Sequence, residues 1–161
     1  MAVHLRRRHL DVSEVLIHPP AAGRFLEAAR RKLVSLMAAA TRAVLVVDDD
    51  PDSIEVMGEA LRDLDYTVYA AAGGHDALGR LASLPRPCVI LLDVLMRPMS
   101  GSDFLETLRR RPDAADFPVI AMSGDVQAAR QLEGTAAVLG KPFEIPQLEA
   151  LLKKLLSPAS G

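Results

Sequence analysis

Short apolar runs alternate with helix-forming segments from Val44 onward, and this alternation restricts the possible folds more than any other feature. The runs are aliphatic and β-branched, as in strands buried on both faces of a sheet, and cover residues 44–47, 66–70, 88–92, 119–122 and 136–139. Segments with helical spacing of apolar residues follow them at 54–64, 76–83, 103–111, 126–132 and 146–156. Five successive strand–helix units predict an α/β domain with a doubly wound five-stranded parallel sheet and five helices.

Residues 1–41 form a basic N-terminal extension that lies outside this repeat. Residues 1–42 carry eight Lys or Arg and three acids, a net charge of +5, whereas the rest of the chain carries −7. Such a charge division indicates a boundary near residue 42. The predicted domains are therefore the extension, an α/β domain at 42–157 and a tail at 158–161.

The extension itself allows several interpretations. Apolar residues between Phe25 and Met37 recur at helical spacing, which fits an amphipathic helix that binds a partner or a membrane surface. An Arg-rich, acid-poor leader also resembles an organelle transit peptide. The simplest interpretation is a disordered or partly helical extension without function, or sequence upstream of a true start at Met37.

The composition narrows the class of protein. No apolar run approaches the roughly 20 residues that span a bilayer, and no apolar segment near the N-terminus is typical of a secretory signal. Cys88 is the only cysteine, which excludes an internal disulfide and a zinc knuckle. We therefore expect a cytoplasmic protein, with Cys88 as a core residue of the third strand.

A few polar residues follow the predicted strands directly. Asp48 and Asp49 follow the first strand, Asp93 follows the third, Ser123 the fourth, and Lys141 comes just after the fifth. Because the carboxyl ends of parallel strands meet at one edge of the sheet, where ligands of such folds bind, we expect these side chains to converge there.

This set of residue types suits phosphoryl transfer. Three clustered carboxylates repel one another unless a cation lies between them, and hard oxygen ligands are what Mg²⁺ prefers. A carboxylate beside Mg²⁺ and a lysine is placed to attack phosphorus and form an aspartyl-phosphate, while the two cations neutralise the transferring group. The Ser123 hydroxyl could then bond to a phosphoryl oxygen. The residue types alone do not decide which aspartate is the nucleophile.

The motifs at these strand ends resemble the receiver domain of two-component response regulators, which has the flavodoxin-like fold of the chemotaxis regulators. The resemblance covers about residues 42–157. It rests on four segments in register: Val46-Val47-Asp48-Asp49, Leu91-Leu92-Asp93 with Met96 and Gly101, Ala121-Met122-Ser123-Gly124, and Lys141-Pro142-Phe143.

The resemblance implies a role for each matching position. Asp93 corresponds to the phosphoacceptor, Lys141 to the phosphate-binding lysine and Ser123 to the switch hydroxyl. Asp49 and Asp93 would ligate Mg²⁺ directly, and Asp48 would act mostly through water. The backbone carbonyl of Leu95 would complete the protein ligands.

Three positions depart from the family pattern. Arg97 stands where the family has proline, with Pro98 after it, and this arginine would reach the mouth of the site or a partner. Val138 replaces the switch aromatic, so the usual coupling of that aromatic to Ser123 cannot operate in its common form. The apolar side chain of Leu95, beside the acceptor, would hinder an attacking water and slow dephosphorylation.

The function implied by the resemblance is that of a single-domain response regulator and not of an enzyme in the usual sense. Asp93 would accept a phosphoryl group from a sensor histidine kinase or a histidine phosphotransfer protein in a Mg-dependent phosphorelay. Output would pass through contact with a downstream protein target or a phosphorylation-dependent homodimer.

Other functions remain as alternatives. The first alternative is a binding module of the same fold that is never phosphorylated. A small phosphatase with an Asp nucleophile would need a second acid at position 95, which is Leu95. Direct nucleic-acid binding is disfavoured, because a domain with a net charge of −7 repels phosphates.

Overall fold

A single parallel sheet forms the centre of the α/β domain, as the sequence predicts. The computed structural model describes residues 20–40 and 42–157. Its strand order is β2-β1-β3-β4-β5, and all four pairings are parallel. The strands are β1 (Ala43–Val47), β2 (Thr67–Ala71), β3 (Cys88–Asp93), β4 (Val119–Ser123) and β5 (Ala137–Gly140).

The described residues contain six helices. One of them, α1 (Pro20–Ala40), belongs to the N-terminal extension; the other five connect or follow the strands as predicted. They are α2 (Pro51–Asp63), α3 (Gly74–Arg80), α4 (Gly101–Arg109), α5 (Val126–Arg130) and α6 (Ile145–Leu156). Short 3₁₀ turns at Leu81–Ser83 and Ala114–Asp116 complete the connections.

The central strands are buried on both faces, and their alternate residues separate two cores. Leu45, Ile90 and Leu92 pack on the side of α3 and α4, whereas Val44 and Leu91 pack on the side of α2 and α6. This alternation follows from the period of two in a strand. It explains why β1 is apolar throughout and β3 is apolar up to its last residue, Asp93, as the parallel-sheet prediction required.

The predicted boundaries are wrong by a few residues at several ends. The helix predicted at 103–111 occupies Gly101–Arg109, because Ser100 caps it in a reciprocal pair with Asp103. The segment predicted as one helix at 76–83 is α3 followed by a 3₁₀ turn. Strands β3 and β4 each extend one residue further than predicted, so that Asp93 and Ser123 are their last residues.

The described residues divide into two units, with the boundary between Ser35 and Leu36. The sequence-predicted amphipathic helix lies within α1, and the side chains of Phe25, Leu26 and Leu33 are exposed. Residues 1–19, residue 41 and the predicted tail at 158–161 lie outside the described residues. None of the helices in the described part of the chain is long and apolar enough to cross a bilayer.

Cys88 is fully buried in β3 and has no disulfide partner. Burial raises the pKa of its thiol to about 12, because a thiolate loses its hydration in an apolar core. The thiol is therefore unreactive at neutral pH, which agrees with its interpretation as a core residue.

Gly101 begins α4 in a space that admits no side chain. A Cβ at this position would lie 2.8 Å from the Cα of Val94 and 3.1 Å from the Asp93 carbonyl oxygen. We expect Gly101→Ala to lower the free energy of unfolding by roughly 1–3 kcal/mol, because backbone atoms must move to accept the methyl group. Urea unfolding measures this loss. Gly124→Ala is the matched control, since no atom lies within 4 Å of its added Cβ; equal losses in the two variants would contradict the steric explanation.

Candidate functional site

Three carboxylates converge at the carboxyl edge of the sheet. Asp48 and Asp49 directly follow β1, and Asp93 ends the neighbouring β3, whose Leu92 pairs with Val47. One oxygen from each carboxylate lies within 4.8 Å of the others. Asp48 and Asp93 are only 4% and 8% exposed, whereas Asp49 is exposed. The cluster is thus half enclosed and open to solvent on the side of Asp49.

Backbone N–H groups hold each carboxylate of this acidic cluster. Asp50 donates its N–H to Asp48 Oδ1 at 3.0 Å, and Arg97 donates its N–H to Asp49 Oδ2 at 3.1 Å. The longest of these bonds runs from the Leu95 N–H to Asp93 Oδ1 at 3.4 Å. The loops after β1 and β3 therefore fix the positions of the carboxylates without neutralising their charge.

Lys141 and Ser123 reach the same edge. Lys141 Nζ lies 3.2 Å from Asp93 Oδ1 across 48 residues of sequence. Ser123 is 4% exposed, and its Oγ accepts the Asp125 N–H at 3.0 Å. The Lys141 N–H also donates to the Ser123 carbonyl at 2.8 Å, so the loop after β5 is tied to the end of β4. All five predicted strand-end residues are therefore brought together.

Burial and neighbouring like charges both disfavour the ionised form of the Asp48 carboxyl. Burial raises the pKa of the Asp48 carboxyl, and the charges of Asp93 and Asp49 raise it further. The Asp50 N–H and the Lys141 ammonium act in the opposite direction and do not cancel the rise. Three carboxylates facing one ammonium leave a local excess of negative charge, which a divalent cation would neutralise.

The donor set fits a magnesium ion. Mg²⁺ takes carboxylate oxygens and waters at about 2 Å in an octahedron, so ligands across the ion are about 4 Å apart. One oxygen from each of the three carboxylates lies within 4.8 Å of the others, which is close enough for a single ion to contact all three. Histidine and thiolate ligands are missing from this cluster, which disfavours zinc. The acidic pocket is therefore suited to Mg²⁺, and the exposed side of Asp49 leaves room for water ligands.

The three departures from the family pattern occupy different surroundings. Arg97 is exposed at the mouth of the site, and its backbone N–H is the group that contacts Asp49. Leu95 is 79% exposed, whereas the acceptor Asp93 is buried. Val138 lies half-buried in β5, opposite Ala121 of β4. The structure therefore brings neither the Leu95 side chain nor the Val138 side chain into the polar cluster.

Sequence reasoning missed two features of the site. Asp125, which caps α5, also holds Ser123 through its backbone N–H; the Ser-Gly-Asp segment before the helix was the available signal. A cavity of about 350 Å³ adjoins the acidic cluster, between its carboxylates and the apolar side chains of α2. It is lined by Val46, Asp48, Asp50, Asp52, Ser53, Val56, Met57, Met122 and Lys141. No local sequence signal marks this cavity, because its walls come from separate elements.

The profile of the response regulator receiver domain matches residues 44–153, well over half of the chain. The chain belongs to the response regulator receiver family. Its five-stranded parallel sheet and edge cluster are those of the flavodoxin-like receiver fold, so the family resemblance in the sequence is confirmed.

Similar proteins agree with this assignment. A response regulator receiver protein of Anaeromyxobacter sp. (strain Fw109-5) is 40% identical over 110 residues, which cover 66% of this chain and 45% of that protein. The histidine-protein kinase BarA of Escherichia coli (strain K12) is 31% identical over 122 residues, which cover 73% of this chain and 13% of the kinase. The chain thus spans less than half the length of these relatives.

Solved structures show the same domain. The receiver domain of a sensor histidine kinase from Pseudomonas aeruginosa superposes with a TM-score of 0.65 at 25% identity, covering 71% of this chain and 97% of that one. Its crystal structure holds a magnesium ion coordinated in the active-site cleft. In this chain, the three aspartates of the acidic cluster lie at the edge of the sheet and fit such an ion.

We expect Asp48→Asn to stabilise the receiver domain in buffer without divalent cations. Two like charges about 5 Å apart repel by roughly 1–3 kcal/mol for effective dielectric constants of about 80 to 20, and the substitution removes one such charge. Because the pKa of the folded Asp48 carboxyl is raised, its destabilising effect is present above that pKa and is lost as pH falls below the ordinary range of aspartate. The advantage of the variant should therefore be largest near neutral pH.

Urea unfolding with EDTA, near neutral and at mildly acidic pH, measures this difference. Glu59→Gln removes an exposed charge from α2 and serves as the control, with no expected change. An Asp48→Asn variant that is less stable than the wild type near neutral pH would show that the hydrogen bond from Asp50 outweighs the repulsion.

Proposed function

We propose that Asp93 accepts a phosphoryl group in a Mg-dependent phosphorelay. One observation carries this proposal: the buried Asp93 carboxylate lies 3.2 Å from the Lys141 ammonium and within 4.8 Å of the two other carboxylates of the acidic cluster. Asp93 is the only member of the cluster with a direct side-chain contact to a cation among the described residues. This position makes Asp93 a better acceptor than the exposed Asp49.

The other residues have distinct proposed roles. Asp48, Asp49, Asp93 and the carbonyl of Leu95 would hold Mg²⁺, which supplies charge neutralisation on the transferring phosphoryl oxygens. Lys141 would bind a phosphoryl oxygen, and Ser123 would donate its hydroxyl to another. The hydroxyl hydrogen of Ser123 is available for that purpose, because its Oγ acts as an acceptor towards Asp125.

The chemistry is an in-line displacement. An oxygen of the Asp93 carboxylate forms a bond to phosphorus while the P–N bond of a donor phosphohistidine breaks, and the electron pair of that bond returns to the imidazole nitrogen. The donor is a sensor histidine kinase or a histidine phosphotransfer protein. The reaction changes the state of this chain and turns over no separate substrate, which agrees with a signalling domain.

We propose that output passes through protein–protein contact on a single-domain regulator in the cytoplasm. Phosphorylation draws Ser123 towards the phosphoryl group and shifts the loop at Lys141, which is bonded to the Ser123 carbonyl at 2.8 Å. Val138 provides no aromatic rotamer for this change, so the loop itself carries the signal to a downstream target or a second copy. A native protein with an intact mass near 17.3 kDa is the expected result for single-domain action.

Intact-protein mass spectrometry tests the proposed reaction. The chain is incubated with acetyl phosphate and Mg²⁺, and in parallel with acetyl phosphate and EDTA, with samples taken at short times. We expect one added phosphoryl group in Mg²⁺ and none in EDTA, and peptide mapping should place it on Asp93. An adduct on another residue would overturn the assignment of the acceptor.

The second candidate function is a receiver-shaped binding module that is never phosphorylated. Arg97 in place of proline and Val138 in place of the aromatic favour it. The absence of any adduct at the shortest times, with Mg²⁺ binding retained, would support this second function over the first. Equal binding of a partner protein to the chain with and without acetyl phosphate treatment would also support this second function.

A further inference from the structure

Helix α1 is not explained by the phosphoryl-transfer site. It is 21 residues long, about 30 Å at the rise of an α-helix, and it carries three exposed large apolar side chains. Phe25, Leu26 and Leu33 are 79%, 70% and 58% exposed. Leaving three such side chains in water is unfavourable, and contiguous exposed apolar surface is typical of an interaction site.

The apolar residues of α1 form one stripe. At about 100° per residue, Phe25, Ala29, Leu33 and Leu26 fall within about 100° of the helix circumference. Around the helix circumference, Arg30 lies about 40° beyond Leu26 at one edge of this stripe. Lys32 lies about 20° beyond Phe25 at the other edge. We name these four apolar residues the apolar stripe and the two cations the edge cations.

The edge cations have no partner among the described residues. Arg31 forms an ion pair with Glu27 at 3.6 Å on the opposite side of the helix, whereas no ion pair is found for Arg30 or Lys32 in the described ranges. Glu27 is the only acid between residues 20 and 40, and the helix has a formal charge of +3. An anionic surface would therefore complement α1.

We propose that α1 lies on anionic phospholipid membranes, with its apolar stripe in the headgroup region. Cations on both edges of an apolar stripe suit a flat anionic surface, because their methylene stems follow the apolar side chains while their heads reach phosphates on either side. A second copy of the helix is a poorer occupant, since pairing two stripes would bring the edge cations of both copies to one seam. The receiver would thereby be brought to a membrane surface.

Vesicle co-sedimentation of the full chain tests this proposal. The probes are vesicles of phosphatidylcholine alone and vesicles of phosphatidylcholine with phosphatidylglycerol. We expect partitioning only onto the mixed vesicles, and weaker binding as salt concentration rises. Replacing both Leu26 and Leu33 by serine should lower the partition coefficient roughly 100-fold, because the apolar contribution is lost.

Two matched double variants separate a docked helix from general charge attraction. Arg30→Gln with Lys32→Gln should weaken partitioning roughly 30-fold, at about 1 kcal/mol per cation near the surface. Arg24→Gln with Arg31→Gln removes the same charge from the opposite side, about 10 Å further from the lipid and beyond the screening length of about 8 Å, and should weaken it less than about threefold. Circular dichroism and the unfolding midpoint of the receiver domain confirm that each variant is folded.

Three results would overturn the proposal. The first is failure to sediment with the mixed vesicles. The second is equal weakening by the two double variants, which would mean attraction without a defined orientation. The third is a dimer, measured by light scattering, that the leucine double variant converts to monomer while vesicles bind neither form; the stripe would then be covered by a second copy.

Discussion

The Asp93→Asn variant is expected to take up no phosphoryl group from acetyl phosphate in the presence of Mg²⁺. The amide has the same shape as the carboxylate but lacks the anionic oxygen that attacks phosphorus, so the loss should be complete within detection. The position is 8% exposed and adjoins Lys141, and asparagine retains an oxygen for that lysine. Intact mass over a time course measures the incorporation.

Asp125→Asn is the matched control for this experiment. Asp125 follows Ser123 by two residues but lies outside the acidic cluster, and its side chain accepts the Ala128 N–H as the cap of α5. Asparagine caps helices as well as aspartate does, so this variant should incorporate phosphate as the wild type does. Incorporation into Asp93→Asn at the wild-type rate would place the acceptor on Asp48 or Asp49, whereas loss in both variants would indicate a damaged loop.

The sheet could be predicted because its central strands are apolar on both faces. Leu45 and Ile90 have apolar residues on both sides along their strands, and such runs are typical of a parallel sheet covered by helices on both faces. The predicted strand ends fell one residue short at Asp93 and Ser123, because hydropathy stops at the first polar residue while backbone pairing continues. At the carboxyl edge of the sheet, polar site residues therefore still belong to strands whose apolar run has already ended.

The members of the site could also be predicted, but not their exposure. Asp48 and Asp49 are adjacent and chemically identical, yet the first is buried and the second faces solvent. The difference arises because successive side chains leave the end of a strand in different directions. The contact between Lys141 and Asp93 likewise depends on β4 lying between β3 and β5, which is a property of the whole sheet.

Lys141→Met is expected to slow phosphoryl incorporation by roughly 100- to 1000-fold while Mg²⁺ binding persists. Methionine has a similar length but removes the cation that lies 3.2 Å from Asp93, and deleting one preorganised group that stabilises developing charge costs about that factor in rate. Since Lys141 is no ligand of a cation, the three carboxylates remain available for Mg²⁺. In this variant, the rate of phosphoryl incorporation should therefore fall while the affinity for Mg²⁺ stays unchanged.

Intact-mass measurements on samples quenched at successive times give the rate of phosphoryl incorporation. Thermal unfolding with and without Mg²⁺ reports metal binding as a shift in the unfolding midpoint. Lys153→Met removes an exposed lysine paired with Glu149 on α6 and is the control, with no expected change in either quantity. Loss of Mg²⁺ stabilisation together with the rate would mean that Lys141 holds the acidic cluster in shape. A wild-type rate in Lys141→Met would show that Mg²⁺ alone supplies the positive charge, and the ammonium beside Asp93 would then serve only to offset repulsion in the metal-free site.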